Sequence, residues 1–296
     1  MGEISIDPKF NIHETYKKVR ILNPYRNDSP IGGIDPDAAN YLAAVGIIND
    51  TTVYYAGTPQ EITGAAIYTA MNTFVGALKS EGVYDKLKAV YPLIGGNAGN
   101  HKWNLINPQD TNAAHRMLWY GAGTHSKTGF KGDGSTAYGD TNFNQSIHSQ
   151  LNNESFGYYS RTDLNGFIIE MGMYTSSSSS YILARLNGRF YSRHQATSES
   201  GNLLVSTSLG FFGVTRRESS FYRQFMNNNY LIKNDVSISL SNINFYIGAR
   251  NFSGSGNAFS NRELSYSFIG EGLTEIQMTA HYNAVQQLQT DLKRAV

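Results

Sequence analysis

The sequence contains no cysteine in 296 residues. That excludes disulfides, thiolate metal sites and every mechanism built on a cysteine nucleophile. Charge is scarce as well: Asp, Glu, Lys and Arg together make up 16% of the chain, against about 25% in an average soluble protein. The net charge is +1, so no nucleic-acid or acidic-membrane partner is expected to be held by bulk electrostatics. No apolar run approaches the ~18 residues of a membrane span, and no membrane insertion is expected. The opening residues, MGEISIDPKF, have neither a basic stretch nor an apolar one, so no Sec-type signal is expected. Ile6 stands where a myristoylation site needs Ser or Thr, which argues against that modification.

Catalytic and cofactor motifs are also missing. His13, His101, His115, His125, His148, His194 and His281 never adopt a short metal-binding spacing, so no His-based metal site is expected. There is no G-x-S-x-G elbow, and the glycines of GAGTHSKTGFKGDGST do not form a phosphate-binding loop. The acidic E-x-D-x-x-E strand of jelly-roll glucanases is absent. Glu170 stands alone in its apolar run, and Glu271 and Glu275 flank the start of the last helix, where helix capping and the dipole explain them. The expectation is a protein without catalytic residues and without a cofactor. Two carboxylates meeting from distant strands would be the alternative, a glycan-cleaving enzyme.

Aromatics and small polar residues are what the chain has in quantity, with 20 Tyr, 15 Phe and 29 Gly. A surface made polar by Ser, Thr, Asn and Gly is typical of β-rich adhesive or virion proteins. Residues 1–34 read as an uncommitted arm, with one short strand candidate at Val19–Leu22. Residues 35–92 read as helical. Asp35-Pro36 opens a helix that Gly46 stops. Thr58-Pro59-Gln60-Glu61 is a capping box for a second helix, with Ile62, Ala66, Ala70, Phe74 and Leu78 on its buried face. A third short helix is expected from Tyr84 to Tyr91, ahead of Pro92.

From about residue 93 to residue 272 the periodicity changes to alternation. Leu264, Tyr266 and Phe268 alternate with serines, and Ile243, Phe245 and Ile247 alternate with Asn244 and Tyr246, each the pattern of a strand with one buried face. Further strands are expected at 117–120, 156–160, 167–174, 203–206, 211–215, 221–225, 230–233 and 236–240. So many short strands predict a mainly β, antiparallel sandwich or barrel. The serines 176–180 read as a loop feeding a hairpin whose turn is Asn187-Gly188. Residues 273–296 read as a terminal helix, with Thr274 as N-cap, Gln277 at N3 and a Leu273/Met278 staple.

Two softer sites follow from composition. Asp133, Asp140 and Asn142 lie in Gly-rich loops and supply hard oxygen ligands that would suit Ca²⁺, although Asp and Asn are also ordinary turn residues. Tyr138, Tyr158, Tyr159, Tyr174 and Tyr191 would serve as platforms for a glycan, with about half of such residues expected to point inward.

Residues 84–141 carry a recognisable series. A helix runs into Tyr91-Pro92 and Gly95-Gly96, followed by His101-Lys102, Asn104-Leu105 and Asn107-Pro108. Then come a Gly-Ala-Gly-Thr-His-Ser stretch and Ala137-Tyr138-Gly139-Asp140-Thr141. This resembles a segment recurrent in virion-associated proteins of tailed phages, especially those infecting Bacteroidetes. The C-terminal strand, Gly-x-Gly-Leu-Thr turn and helix are similar to theirs too, and the resemblance spans roughly residues 40–296. The middle departs, with Tyr222-Arg223-Gln224-Phe225 in place of a Tyr-Arg-Asn-Gly hairpin and a turn at Asn227–Asn229.

The resemblance implies a concanavalin-like or LamG-like jelly roll in a fibre, spike or decoration protein of the virion. Its expected partners are other virion proteins, further copies of itself and a host-surface glycan; a purely structural capsid or tail subunit without a ligand is the further alternative. Tyr16, Val19, Ile21 and Tyr25 of the arm are the expected docking residues.

Overall fold

Asp35 opens the first helix, α1 (Pro36–Val45), by accepting a hydrogen bond from the Asp37 amide, with Pro36 in the first turn. Gly46 ends it at φ 79°, the left-handed conformation that glycine adopts without strain. The structure, a computed structural model, describes residues 33–54, 61–199 and 202–296. Tyr16, Val19, Ile21 and Tyr25, the residues expected to dock, lie outside the described residues, as do Thr58, Pro59 and Gln60 of the expected capping box.

The second helix, α2 (Gly64–Ser80), starts later than that box implies, with Thr63 as the N-cap accepting from the Ala66 amide. A bridge between Val53 and Thr63 and a bond from the Tyr54 amide to the Ile62 carbonyl hold Ile62 outside the helix. Ile67, Ala70, Met71, Phe74, Val75 and Leu78 form its buried face.

The helix expected over Tyr84–Tyr91 is corrected to one 3₁₀ turn (Tyr84–Lys86) and a strand, β1 (Leu87–Tyr91). A short apolar run fits a buried strand as well as a helix turn. Here Leu87 and Val90 enter one core while Ala89 and Tyr91 enter another.

The strands β2 (Leu118–Tyr120), β3 (Thr124–Ser126), β4 (Gly129–Lys131) and β5 (Tyr138–Asn144) follow. Next are β6 (Glu154–Ser160), β7 (Met171–Tyr174), β8 (Ser179–Leu186) and β9 (Arg189–Ala196). Then come β10 (Leu203–Leu204), β11 (Gly210–Arg216), β12 (Tyr222–Met226) and β13 (Asn229–Lys233). The series ends with β14 (Asn244–Ile247), β15 (Arg250–Phe252), β16 (Ser255–Asn257), β17 (Glu263–Gly270) and the helix α3 (Glu275–Asp291). α3 carries the expected capping box, Thr274 with Gln277.

Two sheets form the sandwich. One has eight strands in the order β13-β12-β11-β6-β17-β4-β3, with β1 also on β17. The other has nine, in the order β10-β9-β8-β7-β14-β5-β2, with the β15–β16 hairpin beside β7. Every pairing is antiparallel except β15 with β7. The fold is thus mainly β, an antiparallel jelly-roll sandwich with helices before it and a helix closing it.

The eight-stranded sheet is covered on both faces. Phe156, Tyr158, Phe212, Val214 and Ile269 enter the core between the sheets. Tyr159, Phe211, Tyr266 and Phe268 pack with α2 and α3. One-sided burial of Leu264, Tyr266 and Phe268 is therefore corrected: an irregularity in register after Leu264 sends that side chain to the core opposite Tyr266.

Asn187 and Gly188, at φ 51° and 70°, make the expected tight turn between β8 and β9. The serines before it are not all loop, because Ser179 and Ser180 begin β8 and Ser178 to Ser180 are buried. Residues 236–240 form no strand. The Ser237 amide bonds to Ser219 and the Ile238 amide to Gln195, so the segment is shared between two elements and belongs to neither ladder.

Candidate functional site

α2 and α3 pack on the outer face of the eight-stranded sheet, whereas the outer face of the nine-stranded sheet is furnished with tyrosine, phenylalanine and arginine. The register explains how they line up. Leu118 pairs with Asp140, Asp140 with Tyr246, Tyr246 with Gly172, Gly172 with Tyr181 and Tyr181 with Arg193. Directly paired residues share a face, so these positions form one row across the sheet. The alternate residues Phe245, Ile247, Met171, Ile182 and Phe190 fill the interior.

Gly172 leaves a gap in that row. Its φ is +145°, and a Cβ added there would run into the Ser180 carbonyl oxygen and the Tyr181 Cα. Gly172→Ala is expected to cost about 1–3 kcal/mol from backbone strain alone; urea denaturation of the variant at neutral pH measures it, and an unchanged midpoint would refute the assignment.

Two groups of stacked rings flank the gap. Tyr120 lies over Tyr138 at 5.0 Å, and Tyr138 over Tyr246 at 4.5 Å. On the other side Tyr174 stacks on Phe252 at 5.1 Å with the planes 11° apart. The parallel pairing of β15 with β7 sets Phe252 opposite Tyr174. Tyr120 and Phe252 are 46% and 42% exposed, so each group offers a flat edge to solvent.

A cation lies against the second group. The Arg250 guanidinium carbon lies 5.0 Å from the Tyr174 ring centre, 5.4 Å from Phe252 and 5.7 Å from Tyr181. Arg193 lies 5.6 Å from the same Tyr181 ring. Burial pushes the Tyr181 hydroxyl pKa up to about 12, helped by the charge of Glu199. Burial and the neighbouring charge of Asp140 raise Tyr246 further. Both phenols are therefore neutral hydrogen-bonding groups at any physiological pH.

Of the five expected tyrosine platforms, Tyr138 and Tyr174 belong to these groups, and Tyr191 packs beside Tyr181 and Leu183 on the same face. The other two point inward. Tyr158 donates to Glu170 between the sheets, and Tyr159 donates to Gln286 beneath α3. Tyr120, Tyr246, Phe252 and Arg250 carry no local signal as site residues, since only the register collects them.

Asp133 is occupied by its own turn, accepting from the amides of Ser135, Thr136 and Ala137 and from the Thr136 hydroxyl. Asp140 accepts from the Asn142 amide and from Asn244 Nδ2, and Asn142 Nδ2 donates to the Arg116 carbonyl. Among the described residues no three His, Asp or Glu side chains come together as a metal site.

The buried carboxylates are committed to protein partners. Glu170 is held by Arg262 Nη1, the Tyr158 hydroxyl and the Ala184 amide. Glu154 accepts from Gln145 Nε2 and the Ser149 hydroxyl and meets His194 Nε2 at 3.0 Å. Glu271 pairs with Lys88 at 2.8 Å, and Glu275 stands in the first turn of α3. The scattered histidines also form a pair the sequence does not show. The Gly96 amide donates to His101 Nε2, which leaves the His101 proton on Nδ1, 3.0 Å from His125 Nδ1.

No protein-family model matches the chain, and no curated protein matches it. Among solved structures, the botulinum neurotoxin serotype D binding domain is similar at TM-score 0.48 and 10% identity, over 68% of this chain and 52% of that one. Domain 4 of an extracellular arabinanase from Geobacillus stearothermophilus, solved with arabinotriose, is similar at TM-score 0.42 and 14% identity, over 67% of this chain and 98% of that one. A Trypanosoma rangeli sialidase is similar at TM-score 0.44 and 11% identity, over 76% of this chain and 40% of that one. The chain thus spans about half the length of the toxin domain and less of the sialidase.

Proposed function

We propose that the outer face of the nine-stranded sheet binds a glycan. The observation that carries this reading is the pair of stacked aromatic groups, Tyr174–Phe252 and Tyr120–Tyr138–Tyr246, left open on a sheet face set with polar side chains. Sugar rings present apolar C–H faces and a rim of hydroxyls. Flat aromatic surfaces suit the first; Asp140, Asn244 and the arginines suit the second. Truncating a central aromatic anchor commonly costs 2 kcal/mol or more, in the manner of an interface hot spot. Tyr174→Ala and Phe252→Ala are therefore each expected to weaken binding at least about tenfold, measured calorimetrically with a saccharide selected from an immobilised panel. Full affinity in both variants would refute the site.

Binding without cleavage is the favoured reading, because Glu154 and Glu170 are sealed between the sheets and engaged by protein donors. Release of reducing ends from a bound saccharide would contradict it.

The wider setting we propose is that of an oligomeric virion protein, on the strength of the resemblance at residues 84–141 and at the C-terminus. The arm would attach it to a neighbouring subunit through Tyr16, Val19, Ile21 and Tyr25. Mass spectrometry of purified particles tests both points: absence of the full chain would reject the setting, and unchanged incorporation of a chain lacking residues 1–32 would reject the docking role.

A further inference from the structure

We infer that the saccharide bound at this face is acidic, with a sugar carboxylate seated on the guanidinium of Arg250 beside the Tyr174–Phe252 pair. The inference rests on the glycan reading and specifies its ligand. Most arginines of the body are committed to an acid or to carbonyls. Arg262 pairs with Glu170, Arg161 with Glu263 and Arg185 with Asp163. Arg216 donates to the carbonyls of His194, Glu218, Ser219, Phe221 and Asp235.

Arg250 is half-buried and differs from these. Its Nε donates to Asn257 Oδ1 at 2.9 Å. Among the described residues neither Nη finds an acceptor, no carboxylate pairs with it, and neither Nη is sealed from solvent. Three rings surround the cation, and such contacts offset only about 0.5–2 kcal/mol of desolvation.

The neighbourhood adds to the deficit of negative charge. Arg193 flanks the same Tyr181 ring and repels Arg250. Its Nε is buried without a hydrogen-bond partner. Among the described residues Arg193 pairs with Glu199 at 3.9 Å, which also lies 3.8 Å from Lys233 and accepts from the Tyr181 hydroxyl. One carboxylate thus serves two cations, and Arg250 is left for a ligand.

The free edge of a guanidinium presents two parallel N–H donors that match the two oxygens of a carboxylate. The adjoining stacked rings would carry the ring of the same sugar. Asn257 holds the guanidinium at Nε, so the cation is oriented before the ligand arrives, which lowers the ordering cost of binding.

The test uses oligogalacturonides, hyaluronan oligosaccharides and sialyllactose, each beside its methyl ester, titrated into the full chain and into Arg250→Gln and Arg250→Lys. At least one acid is expected to bind about tenfold tighter than its ester, with the advantage shrinking as salt rises. Arg250→Gln is expected to abolish that advantage, so that acid and ester bind the variant equally, and Arg250→Lys to restore part of it because the charge returns without the fork. Matching thermal midpoints show that the variants are folded. Equal binding of acid and ester, or a preference that survives in Arg250→Gln, would overturn the acidic assignment and leave the glycan reading standing. If neither these probes nor a panel of neutral saccharides binds, the glycan reading falls, and this inference with it.

Discussion

Arg262→Met is expected to remove about 3–5 kcal/mol of folding stability, the usual cost of stripping one partner from a buried ion pair. Arg262 and Glu170 are both 0% exposed, and the guanidinium also donates to Ser208 Oγ and the Leu164 carbonyl. Without it, Glu170 would keep two donors, Tyr158 and the Ala184 amide, for a charge with no counter-ion. Burial already raises the Glu170 pKa, and the charge of Arg262 is the main influence lowering it. Removing Arg262 raises it further, so the folded variant holds a proton that the unfolded chain releases. The deficit should therefore shrink as the pH falls toward the ordinary carboxylate range. Urea denaturation at pH 7 and pH 5 measures both effects. A loss under about 1 kcal/mol would show that the pair is solvated and that the core is wetter than described.

Acidification itself is expected to unfold the protein. Burial pushes His281 down to about 3 and His125 to about 4, and it lowers His101 and His194 as well. His281 lies among Phe211, Tyr266 and Phe268, with Nε2 2.7 Å from the Tyr266 hydroxyl. The fold thus keeps these imidazoles neutral, whereas in the unfolded chain they protonate near pH 6.5. Between those values the unfolded state binds more protons. Stability is fully present above about pH 6.5 and is lost as the pH falls through the folded-state values, at about 1.4 kcal/mol per pH unit for each group.

Urea midpoints taken from pH 7 to pH 4 should therefore decline steeply. The pair Tyr266→Phe with His281→Leu, which leaves no orphan hydroxyl, should flatten the slope by about one proton. A midpoint independent of pH over this range would contradict the placement of these histidines.

Much of the fold was legible in the chain because its signals are local. The Asn187-Gly188 turn, the Thr274–Gln277 capping box and the Asp35-Pro36 start need only neighbours in sequence, and each formed as expected. The run Leu87–Tyr91 was misread because each of its faces meets a different core, which erases the alternation that would mark a strand. The candidate site was legible only in its residue types. Tyr138 and Tyr174 are nameable as platforms, but so is Tyr158, which points inward to Glu170. Arg250 meets Tyr174 and Tyr181 only through the register of β15, β7 and β8, and Glu170 meets Arg262 across 92 residues. Side-chain chemistry does not encode such pairings at short range.

Hydrogen–deuterium exchange locates the surface that takes the ligand. With the tightest-binding saccharide from the panel at saturation, slowed exchange is predicted in β7, in the β15–β16 hairpin and in β8 around Tyr181. Slowed exchange confined to the groove between α2 and α3, where Phe74, Ala77, Ile276 and Ala280 line a cavity, would contradict the account.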